Sequence, residues 1–411
     1  MLFNRAVITG YGVITPVGGS VVEMMQALEA GKCATRSMSN GWNRYGQLRC
    51  QVGAPIDDRD ASSIPRVQRR TMSPMSFFAV QAAKQALQQA DIDPAGIPAN
   101  PRFGCIMGST TGSAEALATT YETLISKKDY LLIGASDFFR CVSHTVALNV
   151  AQVFGIKGVV SATSAACASG LQAVGAAFDQ IRLGTQDVLL CGGGEELHAT
   201  TVGPFDLLYA ASSRFNDSPQ RTPRPFDADR DGLVCGEGAG VIVLENFDHA
   251  VRRGAKILAE VVGYHTCSNG THVSQSDEAT MIACMNTALE MAKLSPANVG
   301  YVNAHATGTT QGDSTEARAI ASIFGSDIPI SSLKGNMGHT LGASGPIELA
   351  ATLEMMHRGS VLPTHNLENI DPACAAVRHV QKITPHKFSA FVKNSFAFGG
   401  INAAIACSIP R

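Results

Sequence analysis

The feature that most limits what this chain can fold into is a pattern that occurs twice. Apolar, β-branched runs alternate with amphipathic helical stretches. The first set is AVITGYGV (6–13), FGCIMGS (103–109), GVVSAT (158–163), DVLLCGGG (187–194) and AGVIVLEN (239–246). The second is KILAEVVGYHT (256–266), VGYVNAHA (299–306), IPISSLK (328–334) and AFVKNSFAFGGINAAIACSI (390–409). Long helices are expected between them, over 72–90 and 277–294. The alternation predicts an α/β fold with buried, mostly parallel or mixed sheets. Both sets run strand, long helix, strand with a small-residue loop, strand, helix. This predicts a duplicated unit split near residue 255, with halves 1–255 and 256–411 that share pattern rather than identity. A length of 411 residues also exceeds one usual core.

Composition narrows the function. Charged residues are only 16% of the chain, which suits a protein that hides surface in an oligomer, and a net charge of −2 gives no global field for nucleic acid or membrane. The start, MLFNRAVITGYGVITPVG, reads as neither a cleavable signal nor an anchor, and no run of about 18 apolar residues exists. Eleven cysteines without paired spacing or a CxxC fit reduced thiols in a cytoplasm and argue against structural zinc. The stretch NDSPQRTPRPFDADRDG (216–232) is too long for a tight turn and reads as an ordered functional loop.

One cysteine stands apart. Cys167 follows GVVSAT and precedes a helical pattern in which Leu171, Val174, Ala177 and Phe178 mark one face and Gly184 the stop. In a first helical turn its thiolate would be favoured and its pKa lowered. Free backbone N–H groups there could bind an oxyanion. The small neighbours Ala165, Ala166, Ala168, Ser169 and Gly170 would admit a substrate. A lone cysteine in such a run is more often a core thiol. Two further stretches shift the balance. YVNAHATGTTQGD (301–313) and SSLKGNMGHTLGASG (331–345) each set a histidine, His305 and His339, past a strand in a loop free of bulk. A thiol with two imidazoles suits acyl transfer.

The motifs SATSAACASG, NAHATGTTQGD, LKGNMGHTLGASG and NSFAFGGIN together resemble the β-ketoacyl-acyl-carrier-protein synthases, elongating condensing enzymes of the thiolase superfamily. VITGYGVITPVG and RPFDADRDGLVCGEGAGVIVLE extend the likeness over essentially the whole chain. The resemblance implies a thiolase-like fold, five-layered α-β-α-β-α, with the site between the halves in a dimer. It implies that Cys167 carries the growing acyl chain. His305 and His339 would stabilise the enolate left by malonyl decarboxylation. The N–H groups of Cys167 and Phe398 would form an oxyanion hole.

It further implies that Lys334 favours neutral His339 and that Glu348 supports Lys334. Thr307 and Thr309 would bind the phosphopantetheine arm, Phe398 would gate the acyl pocket, and Phe396 would line it. No cofactor or metal is implied, since acyl carrier protein brings the substrates on its phosphopantetheine. Arg66, Arg69, Arg70 and Arg214, with Lys127 and Lys128, fall where that acidic partner would dock. A homodimer is expected, a heterodimer with a related subunit is the alternative, and no nucleic acid or membrane is involved.

Departures from the family pattern carry expectations of their own. SFAFGGIN puts Ala397 and Ile401 where glycine and threonine are usual; the alanine limits φ beside the gate, so either a stiffer gate or a preset open form is expected. GSTTGS places Thr111 at the pocket floor, and with SFAFGGIN it is similar to type II polyketide and aryl polyene synthases. Relatives bind a monovalent cation near Asn303, Glu316, Glu348 and Asn394; the ammonium of Lys393 is expected to replace it. A thiolase would need a second catalytic cysteine, but Cys407 sits in an apolar run. Initiating enzymes pair one histidine with asparagine. Non-catalytic chain-length subunits lack the nucleophile.

Overall fold

A computed structural model describes residues 3–42, 46, 48–57, 61–271 and 273–410. Eleven strands form one hydrogen-bonded system: β1 (Ala6–Ile14), β2 (Phe103–Gly108), β3 (Val160–Thr163), β4 (Val188–Glu195), β5 (Gly238–Asn246), β6 (Ala259–Ser268), β7 (Tyr301–Asn303), β8 (Pro329–Ser331), β9 (Arg378–His379), β10 (Ala390–Phe396) and β11 (Ile401–Ser408). Their spatial order is β9-β8-β7-β10-β11-β6-β1-β5-β4-β2-β3. The first five strands therefore run β1-β5-β4-β2-β3, and the second set runs β6-β11-β10-β7-β8. Each is the same permutation of its own sequence order. Directions match too: in each set the first two pairings are antiparallel and the next two parallel. Three antiparallel residue pairs between β1 and β6 join the sets.

The helices that matter for the site are α1 (Pro74–Gln89), α2 (Ala114–Lys127), α3 (Ser169–Arg182), α4 (Glu278–Ala292), α5 (Thr310–Phe324), α6 (Lys334–Met337) and α7 (Ser344–Arg358). Three apolar clusters define the layers. The central one holds α3 and α7 with one face of the strands, such as Ile242 and Leu244 of β5 and Ala403 and Ile405 of β11. An outer cluster joins α1 to the opposite face of the first set, including Val241 and Val243. A second joins α4 to Ala404 and Ala406 of β11. Alternate residues of one strand thus enter different cores, the period of two that a strand dictates. The layers run α-β-α-β-α. Among the described residues no helix is long and apolar enough to cross a membrane.

The small residues around Cys167 let the two central helices meet. A methyl group on Gly170 would lie 2.3 Å from the carbonyl of Gly342, and one on Gly345 would lie 2.8 Å from the β-carbon of Leu171. α3 ends as expected, with Gly184 at φ +72°. The apolar run 390–409 is not one strand. Gly399 and Gly400 adopt φ +90° and +73° and fold it into the β10–β11 hairpin. The run 299–306 is strand only to Asn303, because the N–H groups from His305 onward are claimed by carboxylates described below. The loop 216–232 is ordered by buried ions. Arg224 pairs with Asp227 at 3.1 Å, and Arg230 reaches Asp371 and the carbonyls of Thr309 and Thr310.

Candidate active site

A tight turn presents Cys167. Ala166 is held at φ +47°, a region that costs a residue with a β-carbon about 1 kcal/mol or more. Ser169 fixes the turn by accepting from the Ala165 N–H at 2.8 Å and donating to the Ala166 carbonyl at 2.6 Å. α3 begins at Ser169 with Ala168 as its cap, so Cys167 precedes the helix rather than occupying its first turn. The expected fall in its pKa is also reversed. Burial dominates and pushes the thiol up to about 12, against the pull of Lys334. The dipole of a helix that starts two residues later is too weak to offset removal from water. The backbone N–H groups of Cys167 and Phe398 both act on this sulfur. They therefore converge where an oxyanion on an acyl-sulfur carbon would form.

His305 follows β7. Its N–H and that of Ala306 donate to the two oxygens of Glu316 at 2.8 and 2.7 Å. One turn earlier on α5, Asp313 accepts from Thr307 and Gly308 and holds Phe226 of the 216–232 loop. Two acids three residues apart on one helical face thus clamp the 305–308 loop. His339 lies beyond Gly338 (φ +68°), seven or more residues after β8. It is pinned by its N–H to the Val234 carbonyl at 2.7 Å and by the Gly236 N–H to its own carbonyl at 2.8 Å.

Cys167, His305 and His339 converge. One ligand atom from each lies within 4.8 Å of the others, and the two rings meet edge to face at 5.1 Å. Nδ1 of His305 and both ring nitrogens of His339 are buried without a hydrogen-bond partner. Burial, then Lys334, drives both imidazoles well below their ordinary pKa, so both are neutral. Neutral rings with spare N–H groups are ready-made donors to a developing oxyanion. We expect the rate of the reaction that these groups catalyse to stay flat within about two-fold from pH 8 to pH 6, because neither ring gains a proton in that range. An acid limb centred near 6.5 in a kcat–pH profile would contradict this.

Behind the rings lies a dry ion cluster. Lys334 pairs with one oxygen of Glu348 at 2.6 Å and Lys393 with the other at 2.7 Å, all fully buried. Lys393 also donates to the Asn394 carbonyl. Burial lowers its pKa to about 8. Glu348 does not line the cavity; it anchors the lysines and does not touch substrate space. Replacing it with glutamine would strand two cations. Glu348→Gln should lose about 3–5 kcal/mol of stability in a denaturant titration, and a loss under about 1 kcal/mol would contradict the pairing.

A cavity of about 280 Å³ opens onto the three groups. Thr307, Thr309, Phe396 and Phe398 line it as expected. The Phe398 ring packs edge-on against Phe205 at 5.4 Å. Thr111 does not line it. It is exposed, its hydroxyl donating to the Gly112 carbonyl, because Ser109 and Ser113 turn inward, to the Ser143 carbonyl and Glu196, and leave Thr111 outside. None of the six basic docking candidates lines the cavity either. Arg66 and Arg69 form a one-turn helix that Arg70 ends, and Lys127 and Lys128 close α2. Arg214 is exposed but tethered to the carbonyls of Asp229 and Arg230. Cys407 is buried in the central core.

Several supporting residues escaped sequence reading. Asp313 was not singled out, and Glu316 was read only as part of a cation site. The GDxxE spacing at a helix start was their signal. Glu195, pushed up to about 7 by burial, accepts from the Thr110 and Gly342 N–H groups and so joins the GST turn to the α7 loop.

Comparison with known proteins agrees with this geometry. The family model for the beta-ketoacyl synthase N-terminal domain matches residues 4–250, and that for the C-terminal domain matches 258–368. The chain is 34% identical over 403 residues to 3-oxoacyl-[acyl-carrier-protein] synthase 1 of Escherichia coli K12, covering 98% of each. Among solved structures, a beta-ketoacyl synthase from Burkholderia phymatum STM815 superposes with a TM-score of 0.95 at 42% identity, covering 99% of this chain and 100% of that one. The ishigamide ketosynthase/chain length factor superposes at 0.91 with 27% identity over the full length of both.

Proposed function

Because this chain belongs to the beta-ketoacyl synthase family, we propose that it extends acyl chains on acyl carrier protein by decarboxylative Claisen condensation at Cys167, as a cytoplasmic enzyme. The observation that carries the reading is the convergence of a buried thiol with two neutral, unpartnered imidazoles. In the first half-reaction Cys167 attacks an acyl-carrier thioester. The acyl carbon bonds to Sγ, the carrier sulfur leaves, and the thiol proton ends on it. A high thiol pKa is tolerable here, since the proton moves from one thiol to another. The tetrahedral oxyanion would sit on the N–H groups of Cys167 and Phe398.

In the second half-reaction a malonyl-carrier thioester enters past Thr307 and Thr309. Its C–C bond to carboxylate breaks and CO2 leaves. The electron pair passes to the thioester oxygen, where His305 and His339 donate to it. The carbanion carbon then attacks the acyl carbon, and the Cys167 sulfur departs and regains a proton. The two lysines keep the rings neutral and favour an anionic guest; the same field opposes a divalent metal between sulfur and rings.

Lys393 takes up the second oxygen of Glu348 and a neighbouring carbonyl, so a monovalent cation does not fit there beside it. Activity should be indifferent to the choice of potassium, sodium or neither. A crystal structure with that ion bound and Lys393 turned away would contradict this. We take residues 1–255 and 256–411 as the duplicated halves, a reading supported by their common strand order. Acyl carrier protein is the proposed partner, reached through Arg66, Arg69, Arg70, Arg214, Lys127 and Lys128. No cofactor is required, because the carbonyl of malonyl thioester is its own electron sink.

The test is condensation by the purified chain, given malonyl-carrier and a panel of saturated and polyene acyl-carriers. Formation of 3-oxoacyl-carrier with one CO2 per product supports the reading; acyl exchange without CO2 opposes it. An active homodimer favours a self-sufficient enzyme. Activity only beside a related subunit favours a ketosynthase paired with a chain-length partner, the reading that the likeness to the ishigamide pair supports.

A further inference from the structure

Cys267 and Cys284 take no part in the site described above, yet they bracket one wall of its entrance. Cys267 is the penultimate residue of β6, and Cys284 lies in the second turn of α4. Between them, Asn269, Val273, Ser274 and Gln275 line the cavity. This segment also grips the gate turn. The Asn269 N–H donates to the Gly400 carbonyl at 3.0 Å, and the Gly399 N–H donates to the Val273 carbonyl at 2.6 Å. The two sulfurs cross. The Cys267 thiol reaches the Thr280 carbonyl on α4 at 3.7 Å, and the Cys284 thiol reaches the His265 carbonyl on β6 at 3.5 Å. Each thiol thus contacts the backbone of the element that carries the other. Cys267 is partly exposed and Cys284 is buried.

We propose that Cys267 and Cys284 form a reversible thiol–disulfide modification site that fastens the two anchors of the cavity-mouth segment. The oxidant is a low-molecular-weight disulfide. The Cys267 sulfur attacks one sulfur of it, forming a mixed disulfide and releasing one small thiol. The Cys284 sulfur then attacks Cys267, forming the internal S–S bond and releasing the second small thiol. Two electrons pass from the protein to the oxidant, and the two protein thiol protons end on the two small thiols. Cys267 suits the attacking role, being the more accessible of the two and held below the ordinary thiol pKa beside Cys284. Bond formation brings the two sulfurs to about 2.05 Å. That draws the end of β6 onto α4 and shifts Asn269, and with it the gate turn. The pairing of an exposed with a buried thiol fits a transient redox role better than a structural bridge.

The effect on turnover rests on the condensing-enzyme reading; the bond itself does not. The experiment incubates wild type, Cys267→Ser and Cys284→Ser with oxidised glutathione, blocks free thiols with iodoacetamide and maps peptides by mass. Wild type should yield a Cys267–Cys284 linked peptide pair. Cys284→Ser should stop at a glutathione adduct on Cys267, and Cys267→Ser should yield neither. Condensation by oxidised wild type should fall roughly ten-fold and return with dithiothreitol, while Cys267→Ser keeps its rate. Full alkylation of both cysteines in oxidised wild type overturns the proposal. So does a linked pair with unchanged turnover, which would leave the mouth unaffected. Absence of condensation in every sample, reduced wild type included, would count against the enzymatic reading and not against the thiol pair.

Discussion

Cys167→Ala should abolish condensation, lowering turnover by at least about 10⁴-fold, because Cys167 is the one cysteine among the described residues that lines the cavity. Among the cysteines, Cys407 is sealed in the central core, and Cys105 and Cys191 lie within buried strands. None of these lines the cavity. The variant removes one buried sulfur from a rigid turn, so its circular dichroism and unfolding midpoint should stay close to wild type. Cys167→Ser controls for the lost volume: it fills the space, and its less acidic hydroxyl should still leave turnover strongly depressed. Product formation by the alanine variant at more than about a hundredth of the wild-type rate would exclude Cys167 as the acyl carrier.

The histidines should divide the two half-reactions. Their unpartnered ring nitrogens face the space beside the sulfur, where the enolate would form, and the acyl oxyanion would have its own pair of backbone donors at Cys167 and Phe398. His305→Ala or His339→Ala should therefore each cost roughly 10²–10³-fold in CO2 release from malonyl-carrier. Acylation of Cys167 should persist within about ten-fold of wild type. The double variant should cost less than the product of the two, because both rings act on one oxygen. Equal loss of acylation and decarboxylation would show that the rings serve the thiol instead, as bases. That outcome is disfavoured by the geometry, since burial, aided by Lys334 and Lys393, holds both rings far from accepting a proton.

Much of this was legible in the residues, and the limits have physical causes. Strand positions followed from apolar runs because most of the long strands, such as β4, β5 and β10, are buried on both faces. The duplication followed from repeated order alone, before any pairing was known. What periodicity misjudged was chain reversal. The hairpin at Gly399–Gly400 hides inside an apolar run because its two strands share one composition. The pKa of Cys167 was misread because helix position is local, whereas burial depends on α7 and the gate turn arriving from more than 160 residues away. Thr111 was misplaced for a similar reason: its neighbours in sequence do not reveal which way the 109–113 turn faces. Lys334 and Lys393 show the reverse case. Lys393 read as a departure from the family pattern and Lys334 as part of it, and the fold pairs both on a single buried carboxylate.

The most direct test follows the acyl group through both steps. The purified chain is incubated with an acyl-carrier thioester alone, and the mass of the peptide bearing Cys167 is measured. Malonyl-carrier is then added, and CO2 and 3-oxoacyl-carrier are counted against loss of that adduct. The predicted result is one acyl group on Cys167, discharged with one CO2 and one product per adduct. An acyl group on any other residue, or discharge of the Cys167 adduct without CO2, would contradict a single site formed by that sulfur and the two imidazoles.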